Sequence, residues 1–142
     1  MPARAIQKDD ILAQKRTDKE HERILNKLYK ELRPVFLHSP DGVYLYLDDR
    51  HKICSHRMAE IFGTTIEEWS AEPDFLESFV VSEDRELFAQ NFQEHVATLT
   101  RPVTFRFRAV KKDGTIFTAE TDMIPLSFEG YALAFHFVSE VQ

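Results

Sequence analysis

The fold is decided by residues 103–119, VTFRFRAVKKDGTIFTA. Apolar residues occupy every second position from Val103 to Ala109, with threonine or arginine between them. This alternation predicts a β-strand with one buried face and one solvent-exposed face. Asp113-Gly114 predicts a tight hairpin turn, because glycine adopts a positive φ angle at little steric cost. A second strand is therefore expected from Thr115 to about Ile124.

A third strand is expected after this hairpin. Pro125 is predicted to end the regular pairing of the second strand, and Glu129-Gly130 forms the next turn. The segment from Tyr131 to Val138 is apolar at almost every position, which is typical of a strand covered on both faces. The C-terminal part of the chain is thus predicted to be a three-stranded meander.

Two further strands and several short helices are predicted before the hairpin. Val43–Leu47 and Lys52–Cys54 are separated by a polar turn and indicate two strands. Ser55 and Thr65 are typical helix N-caps, and Ser82-Glu83-Asp84 indicates the start of the longest helix of the body. That helix is predicted to bury one face, formed by Phe88, Phe92, Val96 and Leu99. Two strands before the helices and three after them predict a five-stranded antiparallel sheet of the α+β class.

Residues 1–34 are predicted to form an N-terminal helix ahead of a body at residues 35–142. Neither glycine nor proline occurs from Gln7 to Arg33, and Pro34 is expected to end the helix. Its apolar edge is formed by Leu25, Leu28 and Leu32. This edge is too short for a self-standing coiled coil, so we expect it to pack on its own domain or on a second copy of the chain.

The composition indicates one globular domain and excludes several classes of protein. Residues 1–33 hold nine of the 18 Lys and Arg but only six of the 24 Asp and Glu, so the rest of the chain is strongly acidic. An acidic body repels phosphate backbones, and nucleic-acid binding is not expected. Cys54 is the only cysteine, and the N-terminus lacks the apolar stretch of a signal peptide or membrane anchor. We therefore expect a cytoplasmic protein without a membrane partner.

In the order and spacing of its motifs, the chain resembles the PAS family over roughly residues 36–140. The resemblance lies in Ser39–Val43, Ser55–Gly63, Ser82–Arg85 and Phe105–Thr115. It implies that the inner face of the sheet and the short helices enclose a space that can hold a small molecule. It also implies a non-enzymatic module for signal sensing, dimerisation or binding of a signalling protein.

The resemblance further implies which side chains have functional roles. The ligand contacts implied are His136, Thr121, Ala119, Ala109, Phe107, Met123 and Leu47, with Leu45 on the same side. A homodimer is expected to form through Leu25, Leu28, Leu32, Tyr131, Leu133 and Phe135. The predicted inward alanines would leave room in the interior of the domain, whereas the predicted inward phenylalanine and methionine side chains would fill it. The sequence therefore does not distinguish a ligand sensor from a docking module with a filled interior. A buried His136 without a counter-charge is expected to have a lowered pKa.

The sequence does not match the known flavin, haem or metal sites. The flavin-binding relatives carry an Asn-Cys-Arg-Phe-like run on a helix, whereas Cys54 lies on a predicted strand. His95 lies beyond the position of the axial histidine in haem-binding relatives. His51, Cys54 and His56 do not share one face of a strand, and no second pair of ligands follows them. We therefore predict no metal, and neither flavin nor haem is expected. A haem-binding sensor is kept as an alternative function, and any other cofactor is unidentified.

A small α+β isomerase is the enzymatic alternative. Such an enzyme uses an aspartate base and a tyrosine donor in an apolar pocket, and Asp122 with Tyr44 or Tyr46 could fill these roles. By the motif placement all three point away from the interior, and no carboxylate is expected inside it. No catalytic residue is therefore predicted.

Overall fold

The computed structural model describes residues 8–142, so the predicted helix start at Gln7 and the first seven residues of the 1–34 segment lie outside the described residues. The helical elements are α1 (Lys8–His38), α2 (His56–Ile61), α3 (Ile66–Ala71), α4 (Phe75–Phe79), a 3-10 turn (Ser82–Asp84), α5 (Arg85–Asn91) and a π-helical segment (Phe92–Val96). The strands are β1 (Gly42–Asp48), β2 (His51–Cys54), β3 (Val103–Val110), β4 (Ile116–Phe128) and β5 (Tyr131–Glu140). Among the helices of residues 8–142, none has the length and apolar character that a bilayer crossing requires.

The five strands form one antiparallel sheet in the order β2-β1-β5-β4-β3. This confirms the predicted α+β class, with β5 at the centre of the sheet. Its inner face packs against α2 to α5 in a cluster rich in aromatic rings, the inner cluster. Its outer face packs against α1 in a second cluster, the outer cluster. Because β5 contributes to both clusters, its apolar character on both faces is explained.

The predicted orientation of β1 is wrong by one residue. Leu45 and Leu47 lie in the outer cluster, whereas Tyr44 and Tyr46 face inward. Every residue from Val43 to Leu47 is apolar or aromatic, so alternation alone could not distinguish the two faces of this strand. Pairing decides the matter: Tyr44 lies directly opposite His136 of β5, and directly opposed residues share a face of the sheet.

Pro34 does not end α1, which continues to His38. A proline inside a helix typically costs about 3 kcal/mol, because it lacks an N–H group and its ring crowds the preceding turn. Packing offsets this cost here. Phe36 is buried and its ring stacks on Phe135 at 6.4 Å, and Val35 also contributes to the outer cluster.

One other predicted boundary and one predicted buried residue are also wrong. Pro125 does not end β4, which stays paired with β5 as far as Phe128. Proline is tolerated there because the pairing with β3 ends at Met123, so its missing N–H is not needed on that side. Leu99 is 43% exposed rather than buried. The helical segment ends at Val96, and Leu99 has a φ of +52°, so helical spacing no longer sets the direction of its side chain.

Ser55 caps α2 as predicted and also joins this helix to the sheet. Its Oγ accepts hydrogen bonds from the backbone N–H of Met58 at 3.1 Å and of Val43 at 3.0 Å. Thr65 caps α3 in the same way, accepting from the N–H of Glu68 at 3.1 Å. These caps fix the short helices against the inner face of the sheet.

Gly114→Val is expected to destabilise the β3–β4 hairpin. Gly114 has a φ of +90°, and no heavy atom lies within 4 Å of the position of an added Cβ. The cost therefore comes from backbone strain, of roughly 1–2 kcal/mol. Thermal unfolding measures it, with Ile116→Val, an exposed change on the same hairpin, as the control. A melting temperature equal to that of the wild type would contradict the positive φ.

Candidate functional site

A cavity of about 230 Å³ lies between the inner face of the sheet and the helices α4 and α5 with the π-helical segment. It is lined by Tyr44, Tyr46, Asp49, Asp74, Phe75, Leu76, Phe88, Ala89, Phe92, Gln93 and His136. Sites for drug-sized ligands are usually about 300–1,000 Å³. The cavity is therefore suited to a smaller molecule.

His136 is a deeply buried polar side chain in the wall of the cavity. It is 1% exposed, and Thr121 Oγ1 lies 3.1 Å from its Nδ1. No side chain among residues 12–142 forms a hydrogen bond with its other ring nitrogen, Nε2. Burial lowers the pKa of His136 to about 3, so the imidazole is neutral at physiological pH. A neutral ring with Nε2 unpaired can offer one hydrogen bond to a molecule in the cavity.

Aromatic rings surround this imidazole and hold its orientation. The Tyr44 ring stacks on it with centroids 4.1 Å apart and an angle of 8° between the planes. The Phe88 ring lies nearly parallel to it at 5.9 Å. Phe75 packs beside Tyr44 and Phe88 at 5.5 and 5.6 Å. The walls of the cavity are thus flat, rigid and apolar, a surface suited to an aromatic or aliphatic ligand.

The tyrosines add neutral hydrogen-bonding groups to the cavity. Burial raises the pKa of Tyr44 well above its usual value. The pKa of Tyr46 is also raised, first by burial and then by the nearby Asp49 carboxylate. Both phenols therefore keep their protons and can donate hydrogen bonds.

The charges around the cavity are acidic. Asp49 and Asp74 line it, which is contrary to the expectation that no carboxylate would lie there. No lysine or arginine is among the described residues that line it. The buried ammonium of Lys52 donates instead to the backbone carbonyls of Asp49 and Glu72. The arrangement favours a neutral or cationic molecule over an anion.

Only part of the predicted ligand set lies at the cavity. His136 lines it, and Thr121 lies behind His136 and contacts its ring. The structure places four of the others in the filled inner cluster, away from the cavity wall: Ala119, Ala109, Phe107 and Met123. Leu47 lies on the opposite face of the sheet and was wrongly placed.

Sequence reasoning missed most of the residues that line the cavity. Tyr44 and Tyr46 were excluded because β1 was assigned to the wrong face. The signal that could have found them is the register of β1 on β5, which places Tyr44 beside His136. Phe88 and Phe92 were recognised only as the apolar face of a helix, since helical spacing does not separate a filled core from a cavity wall.

The structure packs the predicted dimer residues within a single chain. The outer cluster contains all six: Leu25, Leu28, Leu32, Tyr131, Leu133 and Phe135. Of the two packing modes left open by the sequence, the structure has α1 on its own sheet. Leu32, Tyr131 and Phe135 are only partly buried in this cluster, and the dimer stays a prediction.

The residues nominated for other chemistries are scattered. Asp122 is exposed and accepts a hydrogen bond from Thr104, so it lies apart from the inward-facing tyrosines. His95 does not line the cavity. Cys54 is buried, and burial raises the pKa of its thiol to about 12, which disfavours the reactive thiolate. The isomerase constellation nominated from the sequence is therefore not assembled.

Comparison with known proteins identifies the same fold. A family model described as "PAS fold" matches residues 51–130. A PAS domain from a two-component sensor histidine kinase superposes with a TM-score of 0.61 at 16% identity, covering 82% of this chain and 99% of that chain. A PAS domain from Colwellia psychrerythraea gives a TM-score of 0.65 at 19% identity, covering 80% and 97%.

A third solved structure carries a ligand. It is the PAS domain, in complex with ethanol, of a LuxR-family transcriptional regulator from Burkholderia thailandensis. Its TM-score is 0.63 at 15% identity, and the match covers 77% of this chain and 96% of that chain. No curated protein matches this chain.

Proposed function

The chain belongs to the PAS fold family, and we propose that it is a signal-sensing module whose cavity binds a small, uncharged or cationic molecule. The observation that carries this proposal is the neutral, buried His136, which lines a cavity of about 230 Å³ and contacts Thr121 through only one of its two ring nitrogens. A neutral imidazole has one donor and one acceptor nitrogen, so Nε2 is available for a hydrogen bond to a molecule in the cavity.

The chemistry of the lining narrows the class of ligand. Aromatic walls favour a planar or branched apolar body, and the His136 nitrogen and two phenols favour one or two polar atoms. The carboxylates of Asp49 and Asp74 favour an amine over an acid. The ethanol complex of the LuxR-family regulator is in accord with a small polar molecule in this fold.

β5 offers a route from the cavity to α1. Its inward side chain His136 contacts the proposed ligand site, while its neighbours Phe135 and Phe137 belong to the outer cluster under α1. A ligand that shifts β5 would therefore also shift the surface on which α1 rests. We propose that α1 carries the signal to a second copy of the chain or to a signalling protein, and that the module acts in the cytoplasm.

The test uses native mass spectrometry and ligand titration on the whole chain. Protein purified from its own host is compared before and after denaturation, which reveals a retained small molecule and the subunit count. Benzylamine, benzyl alcohol and benzoate, which share an aromatic body, are then titrated by NMR. We expect the amine and the alcohol to bind and benzoate to bind more weakly.

Two variants localise the binding. Ala89→Leu fills the cavity and should abolish binding, and His136→Phe removes the polar contact and should weaken it about tenfold, the equivalent of one hydrogen bond. His56→Phe, on the exposed surface of α2, is the matched control. Equal binding by the wild type and Ala89→Leu, or a preference for benzoate, would refute the proposed site.

A further inference from the structure

Two histidines and an aspartate converge where α1 crosses the β1–β2 turn. They are His21 on α1, Asp48 at the end of β1 and His51 at the start of β2. We propose that these three side chains form a binding site for a divalent transition-metal ion of the zinc type. The proposal is independent of the cavity and of the function proposed for it.

The geometry of the donor atoms supports this site. His21 Nδ1 lies 2.9 Å from Asp48 Oδ2, and His51 Nδ1 lies 2.7 Å from Asp48 Oδ1. One donor atom from each residue lies within 4.8 Å of the other two. Ligands of one zinc ion, each about 2.0–2.2 Å from the metal, lie at most about twice that distance apart. The spacing of the three atoms is therefore close to the spacing of ligands around one ion.

The ligand types favour a transition metal over calcium or magnesium. Imidazole nitrogen is a common ligand of zinc, iron, copper and nickel, whereas calcium and magnesium are bound through oxygen. Two imidazoles and one carboxylate are a known set of three protein ligands for zinc that leaves a position for water. Asp48 is 40% exposed, so water can reach this open position.

Asp18 is placed where it could give the outer support that metal-bound histidines usually have. A metal-ligating histidine commonly directs its second ring nitrogen to a carboxylate, which fixes the orientation of the ring. His51 Nε2 lies 3.5 Å from Asp18 Oδ1 on α1, while its Nδ1 faces the proposed site. The same carboxylate is held by Arg50 at 3.0 Å. His51 itself is only 8% exposed, so its ring is already positioned by packing.

Metal binding at this place would join two parts of the domain. His21 belongs to α1, whereas Asp48 and His51 belong to the sheet, so an ion would fasten the helix across the β1–β2 turn. Asp49, the next residue in that turn, lines the cavity. Occupancy of the site would thus stabilise the packing of α1 and restrict the movement of one cavity wall.

Zinc binding to the untagged whole chain tests the proposal. Isothermal titration with Zn²⁺ should show one site per chain and a higher melting temperature with the metal. His21→Gln and Asp48→Asn should each weaken binding at least about tenfold, and Asp18→Asn should weaken it about 10- to 100-fold as the loss of an outer-shell contact. His56→Gln is the matched control, because His56 is exposed and pairs with Glu60, away from the proposed site.

A second measurement separates coordination by these residues from loose surface binding. Co²⁺ should give visible absorption bands of a four-coordinate site in the wild type and in His56→Gln, and these bands should be absent in His21→Gln. Circular dichroism checks that each variant is folded. His21 is only partly buried, so His21→Gln keeps the test decisive if a change at His51 disturbs folding. Equal Zn²⁺ affinity in the wild type and folded His21→Gln, or only the six-coordinate Co²⁺ spectrum in the wild type, overturns the proposal.

Discussion

Deletion of residues 1–33 is expected to produce a chain that aggregates instead of remaining a well-folded protein. The deleted part of α1 contributes Ile24, Leu25 and Leu28 to the outer cluster, all of them buried. Their removal uncovers Leu45 and Leu133, which are fully buried in the intact chain. Large contiguous apolar patches on a protein surface promote association, so light scattering should report aggregates.

A pair of point substitutions tests the same packing without removing the helix. Leu28→Ala is expected to reduce the free energy of unfolding by about 2–5 kcal/mol, because it leaves a cavity between α1 and the sheet. Leu12→Ala, at a position that is 40% exposed on the same helix, should change it by less than about 0.5 kcal/mol. Chemical denaturation measures both. If the truncated chain remained an unchanged, well-behaved dimer, both the packing of α1 and its predicted role in dimerisation would be wrong.

Acidification from pH 7.5 to 5 is expected to destabilise the protein by about 2 kcal/mol through His136 alone. The folded-state pKa of His136 is lowered to about 3 by burial, whereas the unfolded chain has the ordinary value of about 6.5. Above pH 6.5 neither the folded nor the unfolded state binds the proton, so His136 does not reduce the free energy of unfolding there. Between pH 6.5 and 3 only the unfolded state is protonated, and the free energy of unfolding falls by about 1.4 kcal/mol per pH unit.

The contribution of His136 is isolated by measuring how the free energy of unfolding changes with pH in the wild type and in a variant. His136→Gln removes the titrating group, so its stability should fall by about 2 kcal/mol less than that of the wild type over this pH range. His56→Gln, on an exposed surface, should keep the wild-type slope. An NMR titration of the imidazoles gives an independent measurement, in which the His136 resonances should stay constant from pH 8 to 5. Identical slopes for the wild type and His136→Gln would contradict the burial of a neutral His136.

Local chemistry in the sequence was sufficient to predict several parts of the fold. The turn at Asp113-Gly114 needs a positive φ, and Gly114 has it. Ser55 and Thr65 cap their helices because a hydroxyl oxygen accepts the orphan N–H groups of the first turn. The apolar residues of β5 required a cover on each face, and α1 with the short helices provides it. Each of these features depends on residues close together in the chain or on a simple period.

The cavity depended on information that no local pattern contains. His136 could be placed inside by its resemblance to relatives, but its neighbours Tyr44 and Phe88 are brought to it by strand pairing and helix packing. β1 is apolar on both faces, so only its register on β5 decided which tyrosines line the cavity.

The sequence by itself determined the strands, the caps, the hairpin turn and the need to cover both faces of β5. Tertiary structure alone decided which side chains of β1 face inward and that α1 continues past Pro34. It also decided that His21 lies beside Asp48 and His51. Local elements follow from backbone geometry and side-chain period, which act over a few residues. The site contacts join residues far apart in the chain, and their positions follow from the packing of the whole sheet against its two layers of helices.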